Sequence, residues 1–272
     1  MSHASPPAGP AAGETDDAFL GGRLQVLQPG HGYRAGIDGV LLAAAVTQPP
    51  AARIEAQVLD VGAGVGIVGL CVARRLPHVR VTMVERDAGL AGLAQRNIER
   101  NGLADRARVI EADVMQPLGA CAELAGATES FDEVLANPPF HVEGRGTVAG
   151  DPVKAKANAM PEGGLDRWVR FMAAMARPGG RIRLIHRAEA LAEVLDALAG
   201  RFGNTSVLPI HARLGEPAMR VLVHAIKGSR GPLQLAPGLV LHGADDAFRP
   251  EIAAVLRDGA PLPTGEGQPL RV

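Results

Sequence analysis

The sequence predicts an α/β fold in which a mostly parallel, doubly wound sheet carries helices on both faces. From residue 57 onward, short apolar runs typical of strands alternate with longer runs of helical periodicity. The last two apolar runs have no helix between them, which favours a C-terminal antiparallel hairpin. The hydrophobic fraction is 47% but only eight residues are aromatic, so close helix–sheet packing is expected to form the core.

Turn and capping residues set the limits of these elements. Asp87 is an N-cap candidate and Gly102 a C′ candidate for one helix, and Pro77 ends the helix before it. Strands are predicted at residues 22–28, 58–61, 79–84, 107–110, 131–136, 181–185, 205–210 and 220–226. Helices are predicted at residues 40–46, 66–76, 87–101, 165–176, 188–198 and 250–257, with Pro178-Gly179-Gly180 following the fourth.

Composition divides the chain into four segments. Residues 1–18 are rich in Pro, Ala and Gly and are expected to be a disordered lead. Residues 19–56 are expected to cap a ligand site, residues 57–230 to form the α/β domain and residues 231–272 to form an extension. No signal peptide or membrane-spanning helix is expected, so a cytoplasmic location is the default. Two cysteines are too few for a metal cluster, and no metal is expected.

A glycine turn follows the first strand of the alternating region, in the sequence Asp60-Val61-Gly62-Ala63-Gly64-Val65-Gly66. In open α/β sheets ligands bind at the carboxyl ends of the strands, where the strand order reverses. A dinucleotide fingerprint would need Gly at position 67, which is Ile. Asp60 would repel a pyrophosphate but suits an α-ammonium group. These points favour S-adenosyl-L-methionine as cofactor over NAD, bound by Asp60, Gly62, Gly64 and Gly66.

Two further acids occupy the ends of the next two strands. Glu85 follows the turn by about 20 residues, where a carboxylate can accept hydrogen bonds from both ribose hydroxyls. Asp113 follows the third strand, where it can accept from an adenine amino group. Each acid alone could be a solvated residue at a strand end, but together with the turn they predict a cofactor site.

The sequence Asn137-Pro138-Pro139-Phe140 follows the strand at residues 131–136. The Asn137 side-chain oxygen and the Pro138 carbonyl can accept both hydrogens of one NH₂ group, and proline has no competing donor. These acceptors direct the lone pair of a conjugated amine toward a methyl carbon, and Phe140 offers a ring on which a base can stack. The motif therefore predicts amino-group methylation, with Asn137, Pro138 and Phe140 as catalytic residues. Asn137 is also expected to contact the cofactor.

Charge is distributed unevenly although the net charge is −1. Residues 1–140 carry 11 basic and 16 acidic side chains, whereas residues 141–230 carry 14 and 8. The basic segment follows the Asn137 motif, so it is a candidate to face nucleic-acid phosphates. Ordinary surface variation explains the same distribution equally well.

Residues 20–230 resemble the bacterial tRNA (adenine-N6) methyltransferases that modify the purine beside the anticodon of a valine tRNA, within the small-domain methyltransferases. The most specific part is the run from Gln28 to Leu42, which contains Gly30-His31-Gly32-Tyr33 and Asp38-Gly39. The resemblance implies the class I S-adenosylmethionine-dependent methyltransferase fold, with seven strands of which the last is reversed, and a tRNA substrate.

The resemblance also implies roles for individual residues. Tyr33, Gly36 and Asp38 are expected to help close the methionine end of the cofactor pocket. His141 stands where members often have another aromatic residue, and it could contact the incoming base. The expected substrate-binding residues are Phe140, His141, Arg145, Lys154 and Lys156, with Arg213 and Arg220 as weaker candidates. Trp168 is expected to belong to the core.

Several alternatives remain open. The same motif occurs in rRNA guanine-N2 and protein glutamine-N5 methyltransferases, so it indicates the reaction class and not the substrate. The glutamine enzymes usually carry an N-terminal helical domain, and only about 57 residues precede the turn here. A non-catalytic RNA-binding protein of the same fold is a further alternative. Ile67 disfavours a nicotinamide dehydrogenase.

Overall fold

The computed structural model describes residues 9–32, 34–47, 55–139, 141–142, 159–160 and 163–263. Within these residues there are seven α-helices and thirteen strands. The helices are α1 (Ile37–Ala45), α2 (Ile67–Arg75), α3 (Ala88–Arg100), α4 (Ala122–Ala125), α5 (Gly164–Met175), α6 (Leu191–Leu198) and α7 (Pro250–Asp258). The strands are β1 (Glu14–Phe19), β2 (Leu24–Pro29), β3 (Ala56–Val61), β4 (Val79–Glu85), β5 (Ala107–Glu111), β6 (Phe131–Ala136), β7 (His141–Val142), β8 (Ala159–Met160), β9 (Ala176–Arg187), β10 (Phe202–His211), β11 (Ala218–Lys227), β12 (Gln234–Leu235) and β13 (Leu239–Val240).

The central sheet has the strand order β12-β10-β11-β9-β6-β3-β4-β5, with β13 also beside β10. Strands β9, β6, β3, β4 and β5 are parallel to one another, whereas β11 is antiparallel to both β9 and β10. The seven predicted strands of the α/β region and the reversal of the last one are confirmed. From β3 the chain adds β4 and β5 on one side of the sheet, and it then crosses to the other side of β3 to form β6. The topological switch point therefore lies between β3 and β6.

Helices cover both faces of the sheet, as predicted. Side chains alternate along each strand and form two cores, one on each face of the sheet. Val58 lies in the first core with α1, α2 and β2, while Leu59 lies in the second core with α5 and α6. Cys71 of α2 is fully buried, as expected for a small apolar side chain, and burial raises the pKa of its thiol to about 12. No helix among the described residues combines the length and apolar character needed to cross a bilayer.

The predicted limit of the disordered lead is wrong. Residues 14–19 form β1, which pairs with β2 in an antiparallel ribbon. Its acidic side chains are held by α3, where Arg96 binds Glu14 at 2.7 Å and Arg100 binds Asp16 at 2.8 Å. A strand with polar groups on both sides gives no apolar alternation, which explains why the sequence did not predict it. Residues 1–8 lie outside the described part of the chain.

The predicted start of the fifth strand of the α/β region and the predicted end of the sheet also differ from the structure. The sequence Pro178-Gly179-Gly180, which lies between a predicted helix and the predicted strand at residues 181–185, belongs to the start of β9, where the pairing with β6 shifts register between Phe131 and Glu133. A Cβ at Gly180 would lie 2.8 Å from the Arg177 carbonyl oxygen, so glycine permits this close backbone approach. In the C-terminal extension, β12 and β13 widen the sheet beside β10, and α7 buries Ile252 and Val255 against the first core.

Asn97 of α3 and Asn101, the residue that follows α3, bind the backbone of β2 as a neighbouring strand would. Asn97 accepts from Leu27 N at 2.7 Å and donates to Leu27 O at 3.0 Å, while Asn101 forms the same pair of bonds with Gln25. Asn97 is fully buried and also donates to Val65 O in the glycine turn at 3.0 Å. Asn97 therefore joins the ribbon, α3 and the glycine turn.

Asn97→Ala should lower the free energy of unfolding by about 2–3 kcal/mol, because it leaves buried backbone groups of Leu27 and Val65 without partners. Asn101→Ala is the matched control, since it removes the equivalent bonds at a half-buried position and should cost about 1 kcal/mol. Urea unfolding followed by circular dichroism measures both values. If the two variants lose the same free energy of unfolding, the buried bonds of Asn97 are not the stronger link between the ribbon, α3 and the glycine turn.

Candidate active site

A cavity of about 440 Å³ opens at the carboxyl ends of β3, β4 and β6, at the switch point of the sheet. Loops and helix starts that follow these strands form most of its wall, as expected for an open α/β sheet. The predicted site residues that line it are Gly36, Asp38, Gly62, Gly64, Glu85, Asp113, Asn137 and Pro138. The sequence therefore located eight residues that the fold brings together from five separate segments.

The glycine turn forms the floor of this cavity. Gly62, Gly64 and Gly66 have positive φ values of 68°, 58° and 91°, which side chains other than glycine rarely adopt. A Cβ at Gly62 would lie 2.2 Å from the ring of Trp168, so the turn lies directly on the indole. Trp168 is buried in the second core, as predicted, but it also lines the cavity, which the sequence did not indicate.

Backbone amides fix the turn to the end of β4. Gly62 N and Ala63 N both donate to Val84 O, at 2.8 and 2.9 Å. Gly64 N donates to the Glu85 carboxylate at 2.8 Å. The turn and Glu85 are thus held in one arrangement, in which the glycine backbone faces the cavity.

Glu85 is buried, and three backbone N–H groups orient its carboxylate. Besides Gly64 N, it accepts from Arg86 N at 2.8 Å and from Asp87 N at 2.9 Å. Asp113 lines the same end of the cavity, where its Oδ1 accepts from Met115 N at 2.9 Å. Two oriented carboxylates at the ends of β4 and β5 can accept hydrogen bonds from hydroxyl or amino groups of a ligand.

Asp60 and Gly66 do not line the cavity, which differs from the predicted contact with a cofactor. Asp60 is buried behind the turn, and its Oδ2 accepts from Gly69 N at 2.9 Å. It thereby satisfies a free amide in the first turn of α2, where the N-cap residue Gly66 has no side chain. A Cβ at Gly66 would lie 3.1 Å from the Met83 sulfur, so this glycine serves helix–sheet packing.

Burial raises the pKa of Asp60 to about 7; the Gly69 amide opposes this shift and the charge of Glu85 adds to it. The carboxyl group of Asp60 therefore titrates near neutral pH rather than in the acid range. The group contributes to the stability of the turn and of α2, and no atom of it is among those exposed to the cavity.

Asn137 directly follows β6, at the cavity wall. Its Oδ1 is buried and has no hydrogen-bond partner among the described residues. Pro138 is buried beside it and Pro139 is half-buried, and neither has an N–H group that could occupy this acceptor. A buried acceptor without a partner is costly, and Asn137 belongs to the cavity wall, so an N–H group of a ligand is a candidate donor for it.

Asp38 and Arg220 form an ion pair at the cavity wall. Asp38 lies in the first turn of α1, and its Oδ2 accepts from Arg220 Nε at 2.9 Å. Arg220 was a candidate for phosphate contact, but it lies in the cavity wall and links α1 to β11. Arg213, the other candidate of this kind, lies in the turn between β10 and β11, where it binds Asp246.

The loop before α1 is held by groups that the sequence did not identify. Gln28 is buried in β2; its Oε1 accepts from Ala35 N at 2.7 Å and its Nε2 donates to Asp17 at 3.0 Å. Asp17 also binds Arg34 at 2.8 Å. Ala35 and Arg34 line the cavity, so β1 positions one side of the site.

The side chains of the remaining predicted site residues lie outside the part of the chain that the structure describes. Tyr33, Phe140, Arg145, Lys154 and Lys156 lie outside the described residues. For His141 only the backbone is described, and it pairs with Ala159 in a short parallel bridge. The opposite wall contains apolar side chains that the sequence did not predict, namely Ile210, Met219 and Leu241.

The raised pKa of Asp60 predicts a pH-dependent stability. The native state holds this proton more tightly than the unfolded chain, so the stabilisation is complete below about pH 4 and is lost as pH rises through 7. Relative to D60N, which keeps an acceptor for Gly69 N but cannot ionise, the wild-type free energy of unfolding should fall by about 2–3 kcal/mol between pH 5 and pH 8. Urea unfolding at both pH values tests this, and a constant difference would show that Asp60 titrates at its ordinary pKa.

Comparison with known proteins agrees with this geometry. A family model described as methyltransferase small domain matches residues 39–212. A tRNA1(Val) (adenine(37)-N6)-methyltransferase of Porphyromonas gingivalis is 30% identical over 178 residues, which are 65% of this chain and 68% of that protein. A protein of the same name from Aeromonas hydrophila is 30% identical over 221 residues, covering 79% of this chain and 85% of the relative.

A solved structure supports the same assignment. The crystal structure of a predicted O-methyltransferase from Agrobacterium tumefaciens has a TM-score of 0.65 and 32% sequence identity, and the match covers 80% of this chain and 94% of that one. The predicted class I methyltransferase fold is therefore confirmed. The cavity at the switch point lies within the matched region for most of its wall. This chain belongs to the methyltransferase small domain family.

Proposed function

We propose that this chain is an S-adenosyl-L-methionine-dependent methyltransferase that modifies the exocyclic N6 of an adenine beside the anticodon of a tRNA. The observation that carries the proposal is Asn137, a residue of the cavity wall whose side-chain oxygen is buried and has no hydrogen-bond partner among the described residues. The names of the two similar proteins support tRNA adenine as the acceptor. The family membership supports methyl transfer.

The cavity residues fit the cofactor. Gly62 and Gly64 leave backbone where a side chain would occupy the space, and a ligand can approach this surface closely. The carboxylates of Glu85 and Asp113 are acceptors for the hydroxyl and amino groups of the nucleoside. Asp38 supplies a carboxylate near the start of α1, where the α-ammonium group is expected to lie.

When bound, S-adenosyl-L-methionine supplies a sulfonium methyl carbon whose C–S bond breaks as the new N–C bond forms, with the electron pair leaving on sulfur. Asn137 Oδ1 accepts one N–H of the target amine, and the Pro138 carbonyl accepts the other. These two bonds hold the amine so that its lone pair faces the methyl carbon. The amine proton passes to water after transfer, so no side chain needs a shifted pKa for the chemistry.

The substrate must present its base outside a helical stack. Flipping a stacked base out costs a few kcal/mol, which favours the unpaired nucleotides of an RNA loop. The proposal is tested by incubating the protein with labelled cofactor and tRNA that lacks the modification, followed by nucleoside analysis. N6-methyladenosine beside the anticodon is the expected product; label in rRNA guanine or in a release factor instead would overturn the assignment.

Asn137→Ala should lower kcat by about a hundredfold or more, because the amine loses a fixed acceptor in the transition state. Asn137→Asp keeps oxygen acceptors at the same position and should retain more activity than the alanine variant. Steady-state methylation of unmodified tRNA measures both, and calorimetric titration with the cofactor is expected to show a smaller change in affinity than in kcat. Equal activity of the alanine variant and the wild type would refute the catalytic role.

Gly62→Ala should weaken cofactor binding by tenfold or more and lower the Tm, because the new Cβ meets Trp168 at 2.2 Å and φ is positive. The matched control is Gly92→Ala, since Gly92 is exposed on α3 with open space around its Cβ position. That change should raise stability by about 0.5–1 kcal/mol and leave cofactor affinity unaltered. Calorimetry and thermal unfolding test the pair, and an unchanged affinity in G62A would count against the proposed cofactor floor.

A further inference from the structure

Two exposed apolar side chains line the cavity, and two more lie in nearby loops that follow β10 and β13. Ile37 is 36% exposed and Met219 is 45% exposed, and both line the cavity. Leu214 is 82% exposed in the turn between β10 and β11, at the same carboxyl edge of the sheet. Phe248 is 36% exposed in the loop that follows β13. Large exposed apolar groups beside a cavity are typical of a ligand-binding surface.

Phe248 belongs to a stacked ring pair. Its ring and that of His242 have centroids 4.5 Å apart and planes inclined by 25°. An antiparallel bridge joins the two residues, and Gly243 N donates to Ala247 O at 2.9 Å across the loop. The backbone therefore fixes the pair, and the outer part of Phe248 faces solvent.

The ring pair is anchored to the cavity wall. Leu241 lines the cavity and immediately precedes His242 in the chain. Leu241 N donates to His211 O at 2.9 Å, and His242 N donates to Ala212 O at 3.0 Å, so the loop is fastened to the end of β10. The stacked rings thus begin one residue after the cavity wall, in a loop fastened to the strand that carries Ile210.

Charges near the rings are paired with each other. Arg213 binds Asp246 of the same loop, and Arg249 binds Glu251 at 2.8 Å. Asp245 accepts from Ala247 N at 3.3 Å within the loop. Because these cations are paired, the exposed feature of this surface is the aromatic ring. Such a ring suits a nucleobase better than a phosphate.

We propose that the His242–Phe248 ring pair is a stacking subsite for the unpaired nucleotide next to the one that enters the cavity. This inference rests on the proposed function, since it assumes an RNA substrate. When the target base leaves the stack, its neighbour loses a stacking partner, and an aromatic ring at the cavity mouth replaces that partner. Stacking accepts any base, so this subsite distinguishes unpaired from paired RNA and does not read sequence.

Two variants separate ring stacking from apolar contact. F248L keeps a large apolar side chain but removes the ring, whereas F248Y keeps the ring. Fluorescence anisotropy with a labelled anticodon stem-loop RNA should give a Kd about tenfold higher for F248L and within twofold of wild type for F248Y. L235A is the matched control, because Leu235 is 70% exposed but lies on β12, beside the middle of β10 and outside the cavity wall. Its RNA affinity should equal that of the wild type.

The same variants are compared with a duplex RNA of equal length and with the cofactor alone. F248L should leave the Kd for both within twofold of wild type. If F248L binds the stem-loop as well as F248Y does, the stacking subsite is refuted, whatever the methylation result. If the ring variants behave as expected but labelled methyl groups do not enter tRNA adenine, the RNA subsite stands and the proposed acceptor is wrong.

Discussion

The close approach of the glycine turn to Trp168 and to the end of β4 is the constraint on which the rest of the site depends. At Gly62 no Cβ can be accommodated, because the indole ring would lie 2.2 Å away. This approach lets Gly62 N and Ala63 N share the Val84 carbonyl oxygen and lets Gly64 N reach Glu85. Backbone amides of the turn therefore orient the Glu85 carboxylate, and the glycines leave bare backbone at the cavity surface.

Groups away from the cavity hold this arrangement from behind. Asp60 satisfies an amide in the first turn of α2, and Asn97 connects the turn to β2 through Val65 O and Leu27. The ribbon that Asn97 holds in turn carries Gln28, which positions the loop before α1 at Ala35 N. The glycine turn and the loop before α1 are thus connected through the buried side-chain amides of Asn97 and Gln28. Loss of a buried hydrogen bond lowers the free energy of unfolding more than loss of an exposed one.

The sequence predicted the elements whose signals are local. The strand at residues 131–136 has the predicted limits, and Asp87 caps α3 by accepting from Leu90 N. It did not predict features that depend on distant partners: β1 is held by arginines about 80 residues away, and Trp168 reaches Gly62 from another layer. Asp60, a predicted cofactor contact, lies away from the cavity for a simpler reason. Side chains alternate along a strand, so Asp60 shares the face of Val58 and points to α2 rather than to the edge.

The cavity wall comes partly from residues 39–212, which match the family model, and partly from residues beyond them, and this suggests how one reaction serves different acceptors. In the proposed mechanism Asn137 and the Pro138 carbonyl recognise only an NH₂ group, and adenine, guanine and glutamine all present one. Discrimination must therefore come from groups that surround the amine rather than hold it. Several side chains of the cavity wall, including Met219 and Leu241, lie beyond residue 212, where the match to the family model ends. The matched domain contains the glycine turn and Asn137, while β11 and the C-terminal extension contribute Met219 and Leu241, so variation in acceptor is expected to arise there.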